Sequence, residues 1–233
     1  MATLHMPEIG AAGSMRTPTL TAVSAVVIDS NNGGVLYSKN ASLRLPPAST
    51  TKVMTALIAL ERLPFRQEIL IGPHAVNISP SKAGLTPRAR YKAIDLVIAA
   101  LVASSNDAAV ALAEAVSGSE KEFAKLMNEK ARSIGMNDTK FINPTGLTEG
   151  GHTQYSTAMD LAKLMRVAAK NKLIDQIMGF TTVTIRGSDG RAIAIRSHNK
   201  MLWRTPRFVK GKTGWTFASR HTFVGTDYAP DKK

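Results

Sequence analysis

The chain has no cysteine among its 233 residues. Disulfide bonds and thiolate chemistry, whether catalytic or metal-binding, are therefore excluded. Long apolar runs are also missing, because none approaches the roughly 20 residues that a membrane-spanning helix needs. The most apolar early segment, residues 20–28, runs into the turn-forming residues 29–34 without a small-residue cleavage site. We interpret it as a strand and not as an export signal.

Metal and cofactor motifs are lacking as well. The sequence shows no metal-ligand spacing and no G-x-S-x-G elbow, which argues against a zinc hydrolase and a histidine-based triad. The glycines at 187 and 190 form a turn and not a phosphate loop, because no helical pattern follows them. We expect neither a metal nor a cofactor. The histidines concerned are His5, His74, His152, His198 and His221.

Acidic residues are few, with 17 Asp and Glu against 30 Lys and Arg, so the net charge is +13. Such a charge attracts nucleic acid, anionic lipid or an acidic polymer. The cations are nevertheless spread along the chain, and no zinc-finger spacing, aromatic RNA-binding motif or basic heptad region accompanies them. We expect most of them to form a solvated surface, and we expect no nucleic-acid partner.

Strands at both ends and helices in the middle predict an α+β fold. Residues 22–28 and 34–38 predict one hairpin, and residues 182–185 and 192–195 predict a second, with two more strands at 208–216 and 221–226. Between them, apolar residues recur at spacings of three and four, and Thr157 with Asp160 predicts a helix start. We expect a flexible tail over 1–20 and one domain over 21–233, with a sheet from 21–45 and 180–233 and a helical lobe over 46–179.

Three short motifs carry candidate chemistry: Ser49-Thr50-Thr51-Lys52, Ser104-Ser105-Asn106 and Lys212-Thr213-Gly214. Residues three apart on a helix share a face, so the Lys52 amine can reach the Ser49 hydroxyl at the helix N-terminus. Lys52 can act as a base if burial and a neighbouring cation, such as Lys212, lower its pKa. Taken alone, such a serine is more often a helix cap beside a solvated lysine.

The other two motifs are informative mainly in combination. Ser104 offers a hydroxyl for proton relay and Asn106 an amide that can hold a substrate peptide group, although a serine between two helices is often only a cap. On a strand, Gly214 permits close approach of a ligand, while Thr213 offers a hydroxyl and Lys212 a positive charge. Three motifs in this order are a signature of class A β-lactamases and penicillin-binding proteins. The middle motif of that signature is S-D-N, where this chain has Ser104-Ser105-Asn106.

A longer resemblance supports this interpretation. Over about residues 22–228 the chain resembles the D-alanyl-D-alanine carboxypeptidases, the low-molecular-mass penicillin-binding proteins. The matching segments are Pro46-Pro47-Ala48-Ser49-Thr50-Thr51-Lys52-Val53-Met54-Thr55-Ala56-Leu57, Ala103-Ser104-Ser105-Asn106-Asp107-Ala108-Ala109, Phe141-Ile142-Asn143-Pro144-Thr145-Gly146-Leu147, Tyr155-Ser156-Thr157-Ala158 and Lys212-Thr213-Gly214-Trp215-Thr216.

The resemblance implies a mechanism and a β-lactamase/transpeptidase-like fold. Ser49 attacks the carbonyl of a terminal D-Ala-D-Ala bond in a peptidoglycan stem peptide, Lys52 accepts its proton, and water resolves the acyl-enzyme. Backbone N–H groups of Ser49 and Trp215 would hold the oxyanion. β-Lactams would acylate the same serine, and the bacterial cell envelope would be the location. The substrate-binding residues it implies are Asn106, Lys212, Thr213, Gly214, Trp215, Thr216 and His198.

Two departures from the family pattern bear on this expectation. His198 stands where some relatives have an arginine that helps bind the substrate carboxylate. The family's last strand, which is central in its sheet, and a following C-terminal helix are missing from the sequence, which stops at residues 228–233. We expect the chain to be a fragment or poorly active, and membrane association to depend on segments beyond it.

Three alternatives remain open at this stage. A D,D-endopeptidase would share the whole apparatus. A class A β-lactamase would need an E-x-x-L-N glutamate, and the nearest candidate, Glu149, is followed by Gly150-Gly151-His152. A non-catalytic module that binds peptidoglycan, or forms a slow penicilloyl adduct, is the third.

Overall fold

The computed structural model describes residues 19–148, 154–204 and 209–227. Most of the predicted tail over 1–20, the candidate Glu149, and residues 228–233 lie outside these ranges. The expected tail and the single domain over 21–233 therefore stay predictions.

The first hairpin forms as expected. Strand β1 (Ala25–Ile28) pairs antiparallel with β2 (Val35–Lys39). The turn between them is closed by Asp29, whose carboxylate accepts the Asn31 N–H at 2.7 Å. Arg166 then fixes the turn to the helical lobe by donating to the carbonyls of Ser30 and Asn31 at 2.8 and 2.7 Å. This side chain therefore joins two parts of the chain that are far apart in sequence.

The helical lobe is built around one buried helix. A 3-10 turn (Ala48–Thr51) leads into α1 (Lys52–Arg62), which is buried from Lys52 to Ala59 because apolar residues occupy most of its circumference. The remaining elements of the lobe up to α5 are β3 (Glu68–Leu70), α2 (Pro73–Asn77), β4 (Arg90–Lys92), α3 (Ala93–Val102), α4 (Asn106–Ser117) and α5 (Glu120–Ser133). Helices α3, α4 and α5 and the later helix α6 (Ala158–Ala168) all pack against α1.

The predicted helix start at Thr157 is confirmed. Helix α6 (Ala158–Ala168) begins directly after Thr157, whose hydroxyl accepts the N–H of Asp160 at 3.0 Å. The cap satisfies one of the N–H groups that every helix leaves unpaired at its start. Helix α7 (Lys172–Met178) follows and is capped by Asn171 in the same way.

The strands of the second half also lie close to their predicted positions. Strands β5 (Thr182–Arg186) and β6 (Ala192–Arg196) form a hairpin, and β7 (Lys210–Thr216) pairs with β8 (Arg220–Thr226). A short helix, α8 (Met201–Arg204), precedes β7. The predicted start of that strand at Phe208 lies outside the described residues.

The described strands pair in four two-stranded ladders: β1–β2, β3–β4, β5–β6 and β7–β8. No backbone ladder joins β1 to β8 within these ranges. Helix α6 packs against both strands, so the two hairpins share a helix and not a hydrogen-bonded edge. The α+β class itself is confirmed.

Within the described residues, no helix is both long enough and apolar enough to cross a bilayer.

Candidate active site

Ser49 lies in the 3-10 turn immediately before α1, with its side chain partly open to solvent. The preceding residue, Ala48, has a positive φ of 48° and is fully buried. This conformation is uncommon for a residue with a side chain, and it marks a sharp entry into the helix. Strands β7 and β8 both pack against this turn. The sequence thus places the serine at a helix start that is held by a distant hairpin.

The amine of Lys52 contacts the hydroxyl of Ser49, as the three-residue spacing predicted. Its Nζ atom lies 2.9 Å from Ser49 Oγ, and the lysine side chain is fully buried. Burial lowers the pKa of Lys52 well below its usual range, the charge of Lys212 lowers it further, and the carboxylate of Asp107 partly opposes the change. A neutral amine beside a serine hydroxyl can accept the serine proton.

A loop from residue 143 to 147 closes over Lys52. The backbone carbonyl of Thr145 accepts a hydrogen bond from the lysine Nζ atom at 2.6 Å. Gly146 lets the loop come this close, because its φ is +88° and a Cβ atom there would lie 1.9 Å from the carbonyl oxygen of Ala48. Lys52 is therefore held between the nucleophile and this loop.

A second lysine meets the second motif. Lys212 on β7 is almost fully buried, and its Nζ atom lies 3.0 Å from Ser104 Oγ and 2.6 Å from the carbonyl oxygen of Thr213. Burial lowers the pKa of Lys212 from 10.5 to about 7. Ser104 lies in the loop between α3 and α4 with a positive φ of 61°. Because two buried amines raise the cost of each other's charge, their protonation is coupled.

Asn106 and Asp107 begin α4 and are both buried. The Asn106 amide donates to the carbonyl of Ser79 at 2.8 Å, while its Oδ1 atom has no hydrogen-bond partner in the structure. The side-chain oxygen is thus the part of this amide left to meet a ligand. Asp107 has a different role, since its carboxylate accepts the N–H groups of Ala83, Gly84 and Leu85 at 2.9 to 3.2 Å.

The rest of the third motif differs in its surroundings. Gly214 lies against the nucleophile, because a Cβ atom there would come within 2.9 Å of the Ser49 backbone nitrogen. Trp215 is half exposed and makes an edge-to-face contact with Phe217 at 4.9 Å between ring centres. The hydroxyl of Thr216 bonds to Ser219 at 2.7 Å within the β7–β8 turn. The structure thus brings Gly214 to the serine but uses the Thr216 hydroxyl in a turn.

His198 is tied to the same neighbourhood. Its backbone N–H donates to the carbonyl of Val102 at 3.1 Å, next to the loop that carries Ser104. Burial lowers the pKa of the His198 imidazole, and the charges of Lys212 and Lys52 lower it further.

Two contributions were not predicted from sequence. The Thr145 carbonyl is a backbone group, so residue type does not reveal it, although Gly146 beside it hinted at a close approach. Asp107 follows the second motif directly, yet its binding of three N–H groups depends on a loop more than 20 residues earlier. Within the described residues no group of three or more histidine and carboxylate side chains could hold a metal ion.

The arrangement as a whole suits acyl transfer by serine. The Ser49 hydroxyl can act as an oxygen nucleophile, and the buried Lys52 amine, with its pKa well below the usual range, can act as its base. Lys212 and Ser104 form a second polar pair. A positive charge and hydroxyls around a serine favour a substrate with a carboxylate close to the scissile bond.

Several known proteins have sequences similar to that of this chain. The chain is 36% identical over 210 residues to the D-alanyl-D-alanine carboxypeptidase DacF of Bacillus subtilis, covering 88% of this chain and 54% of DacF. It is 34% identical to the D-alanyl-D-alanine endopeptidase of Escherichia coli, covering 93% of this chain and 70% of that protein. The chain therefore spans about half the length of DacF and more of the endopeptidase.

The fold of the chain is also similar to that of a solved structure. The D-alanyl-D-alanine carboxypeptidase from Mycobacterium tuberculosis superposes with a TM-score of 0.88 at 32% identity, over 94% of this chain and 82% of that one. The model of peptidase family S11, described as D-alanyl-D-alanine carboxypeptidase, matches residues 11–232. Because the family model covers most of the chain and the Escherichia coli relative is 34% identical over 70% of its own length, the chain belongs to the D-alanyl-D-alanine carboxypeptidase family.

Proposed function

We propose that this chain carries the catalytic site of a serine-type D,D-carboxypeptidase that removes the terminal D-alanine from peptidoglycan stem peptides. One observation supports this most directly: the fully buried Lys52 amine lies 2.9 Å from Ser49 Oγ, with its pKa well below the usual range. Membership of the family makes the terminal D-Ala-D-Ala bond the substrate to test first.

The first half-reaction begins at Ser49. Its Oγ atom attacks the carbonyl carbon of the penultimate D-alanine while Lys52 accepts the hydroxyl proton. The tetrahedral intermediate then collapses, the peptide bond breaks, and the departing D-alanine amine takes up a proton. That proton comes from Lys52, and we assign the Ser104 hydroxyl to carry it to the leaving amine, while the contact of that hydroxyl with Lys212 at 3.0 Å holds it in place. The products are D-alanine and an ester between Ser49 and the shortened peptide.

The second half-reaction hydrolyses this ester. Lys52, neutral once more after the relay, accepts a proton from water, and the hydroxide formed attacks the ester carbonyl. Cleavage of the ester releases the shortened peptide and returns the proton to Ser49. Lys52 therefore serves as the base in both halves.

Substrate binding follows from the positions around the serine. Lys212 and Thr213 would hold the terminal carboxylate, and the Oδ1 atom of Asn106 would accept a substrate peptide N–H. Backbone N–H groups of Ser49 and Trp215 would stabilise the oxyanion, which typically contributes about 3 kcal/mol per donor. Gly214 lies close to the Ser49 backbone nitrogen, which supports the proposal that the N–H groups of Ser49 and Trp215 act on the same oxyanion. A protonated His198 imidazole would also help to bind the substrate carboxylate.

The test has two stages. Labelling with a fluorescent penicillin should give a covalent adduct in the wild-type chain and none in Ser49→Ala, since β-lactams would acylate the same oxygen. Release of D-alanine from a diacyl-D-Ala-D-Ala peptide should then occur in the wild type only. A folded wild-type chain that forms no adduct would refute the proposal, and an adduct without D-alanine release would support the non-catalytic penicillin-binding module.

D,D-endopeptidase activity is the second candidate, and the similarity to the Escherichia coli endopeptidase favours including it. A cross-linked muropeptide dimer, incubated with the chain beside the diacyl peptide, separates the two activities by product mass. A class A β-lactamase is disfavoured by the family assignment, and rapid turnover of the penicillin label would be its signature.

The natural partners under this proposal are stem peptides ending in D-Ala-D-Ala, with β-lactams as covalent inhibitors. The location is the bacterial cell envelope, where that substrate is found. Fractionation of a host that produces the native protein, followed by penicillin labelling of each fraction, tests the location. A labelled band confined to the cytoplasm would contradict it.

A further inference from the structure

Below the active-site lysine, the loop over residues 143–147 is organised by one side chain. Asn143 is 4% exposed, and its Oδ1 atom accepts hydrogen bonds from four donors on three residues. They are Thr145 N at 3.2 Å, Thr145 Oγ1 at 3.0 Å, Gly146 N at 2.9 Å and Gln154 Nε2 at 3.1 Å. A carbonyl oxygen has two lone pairs, so this oxygen is used to its limit.

The peptide group between Thr145 and Gly146 connects Asn143 to Lys52. Its N–H, on Gly146, points to Asn143 Oδ1, and its C=O, on Thr145, accepts from Lys52 Nζ at 2.6 Å. In a planar trans peptide the N–H and C=O point in opposite directions. Fixing the N–H on Asn143 therefore aims the carbonyl at Lys52.

The direction of that carbonyl matters for a neutral lysine. A neutral amine has two N–H bonds and one lone pair, and the lone pair must face the serine hydroxyl to accept its proton. When one N–H is anchored on the Thr145 carbonyl, fewer orientations of the amine remain. The lone pair can then be directed at Ser49 Oγ, 2.9 Å away.

Gln154 supports the same loop from the other side. It is 1% exposed, and its Nε2 atom donates both to Asn143 Oδ1 and to the carbonyl of Leu147 at 2.8 Å. Asn143 Nδ2 donates to that same carbonyl at 2.9 Å. The two amides together hold both ends of the turn, so neither the loop nor its carbonyl can shift alone.

We infer that Asn143 is a positioning residue for the acylation step, which with Gln154 orients the Thr145 carbonyl and thereby the amine of Lys52. It acts through a backbone carbonyl and touches neither substrate nor nucleophile. The inference rests on the proposed function, because it assigns Lys52 the role of base toward Ser49.

The experiment compares the buried Asn143 with Asn128, which is partly buried. Asn128 also ties a loop to a helix through its amide, accepting from Phe141 N at 2.9 Å and donating to the carbonyls of Ala124 and Phe141. Asn143→Ala and Asn128→Ala therefore remove equivalent anchors, and only the first lies behind Lys52. Acylation by fluorescent penicillin is measured against its concentration, which separates the binding constant from the acylation rate constant.

We expect Asn143→Ala to lower the acylation rate constant about 10- to 100-fold with little change in the binding constant, because the reacting amine is misplaced. Asn128→Ala should stay within about twofold of the wild type, since its loss affects stability alone. An Asn143→Ala variant that melts cooperatively and acylates within about twofold of the wild type overturns the inference.

Rescue by a conservative variant adds a readout that a merely structural role would not move. Asn143→Asp keeps an oxygen for Gly146 N and adds a negative charge, which raises the pKa of Lys52. The charges of Lys212 on β7 and Asp107 on α4 already shift the pKa of Lys52. The charge of Lys52 in turn lowers the pKa of His198, which follows β6. We expect acylation to recover along the rising limb of the pH profile, before the fall that Lys212 causes, with that limb moved upward by about half a pH unit or more. Asn128→Asp should leave that limb in place.

The outcomes separate the two proposals. If the wild type forms no adduct, the proposed function fails. If the wild type, Asn128→Ala and Asn143→Ala are all acylated alike, only this inference fails. If Asn143→Ala does not fold, the test uses Asn143→Asp and Gln154→Ala instead. The inference is overturned if both variants keep the wild-type acylation rate constant and the rising limb of its pH profile does not move.

Discussion

The Nζ atom of Lys212 lies 3.0 Å from the Oγ atom of Ser104, which joins strand β7 to the loop between α3 and α4 across 108 positions of sequence. Lys212 is almost fully buried, so this hydroxyl is one of the few groups that stabilise its charge. The contact links the proposed proton relay to the proposed carboxylate anchor. A substitution of either residue should therefore change the behaviour of the other.

Removing the Ser104 hydroxyl tests that link. We expect Ser104→Ala to reduce acylation by fluorescent penicillin about 100-fold, because a positioned proton relay typically contributes about 10²- to 10⁴-fold. The next residue provides the matched control, since Ser105 is also buried and its Oγ atom has no hydrogen-bond partner among the described residues. Ser105→Ala should acylate at close to the wild-type rate, and equal losses in both variants would contradict the relay.

The pH dependence of kcat/KM should be bell-shaped. Activity rises as Lys52 loses its proton, at a pH well below the usual lysine range, and falls as Lys212 loses its proton at about 7. The falling limb belongs to the free enzyme, where no substrate carboxylate yet opposes deprotonation of Lys212. Initial rates of D-alanine release measured at low substrate across the pH range give this profile.

A variant assigns the falling limb. In Lys212→Arg the guanidinium stays charged, so the limb should move to higher pH even if the overall rate is lower. His198 also titrates in this neighbourhood, and its lowered pKa makes it the main competitor for the assignment. His198→Gln should retain the falling limb near pH 7. A limb that vanishes in His198→Gln and persists in Lys212→Arg would reverse the assignment.

The pH dependence of thermal stability should also depend on Lys212. Its pKa is about 7 in the folded chain against 10.5 ordinarily, so between these values the unfolded chain binds a proton that the folded chain does not. Stability therefore rises with pH across that window, and below about pH 7 this group adds no slope. Melting temperatures of the wild type and Lys212→Met, measured at matched pH values, should show the steeper rise in the wild type. Parallel curves would mean that Lys212 is not buried with its charge suppressed.

Adding one methyl group at Gly146 should disrupt the nucleophile. Gly146→Ala combines a φ of +88° with a Cβ atom 1.9 Å from the Ala48 carbonyl oxygen, so the loop or the turn before Ser49 must move. Gly135→Ala has a similar φ of +77° and nothing within 4 Å of its Cβ atom, so it isolates the cost of backbone strain. That cost is about 1 to 2 kcal/mol. We expect denaturant unfolding to show a larger loss for Gly146→Ala, with acylation lost only in that variant.

The parts of the site that sequence predicted are those encoded by short spacings. Lys52 follows Ser49 by three positions on one helical face, and Thr157 caps α6 through the N–H of Asp160. Both depend on local geometry that a residue pattern specifies directly. Membership of the family added the pairing of distant motifs, which no local pattern could supply.

The parts that escaped prediction depend on backbone groups and on long-range packing. The Thr145 carbonyl has no residue-type signature, and the positive φ of Ser104 follows from its tertiary setting. Alternation of side chains shows that strands exist, while strand pairing depends on which edges meet in space, so the two-stranded ladders could not be predicted from local pattern alone.

Pairing the strands two by two divides the molecule into regions of unequal local stability. An isolated two-stranded hairpin is marginally stable in water, so each relies on the helix or turn against which it packs. The hairpin β7–β8 carries Lys212 and Gly214, while Ser49 and Lys52 belong to the buried α1 region. Brief opening of that hairpin would part the two halves of the catalytic site and leave the helical core folded. Amide hydrogen exchange should accordingly be faster in β7 and β8 than in α1.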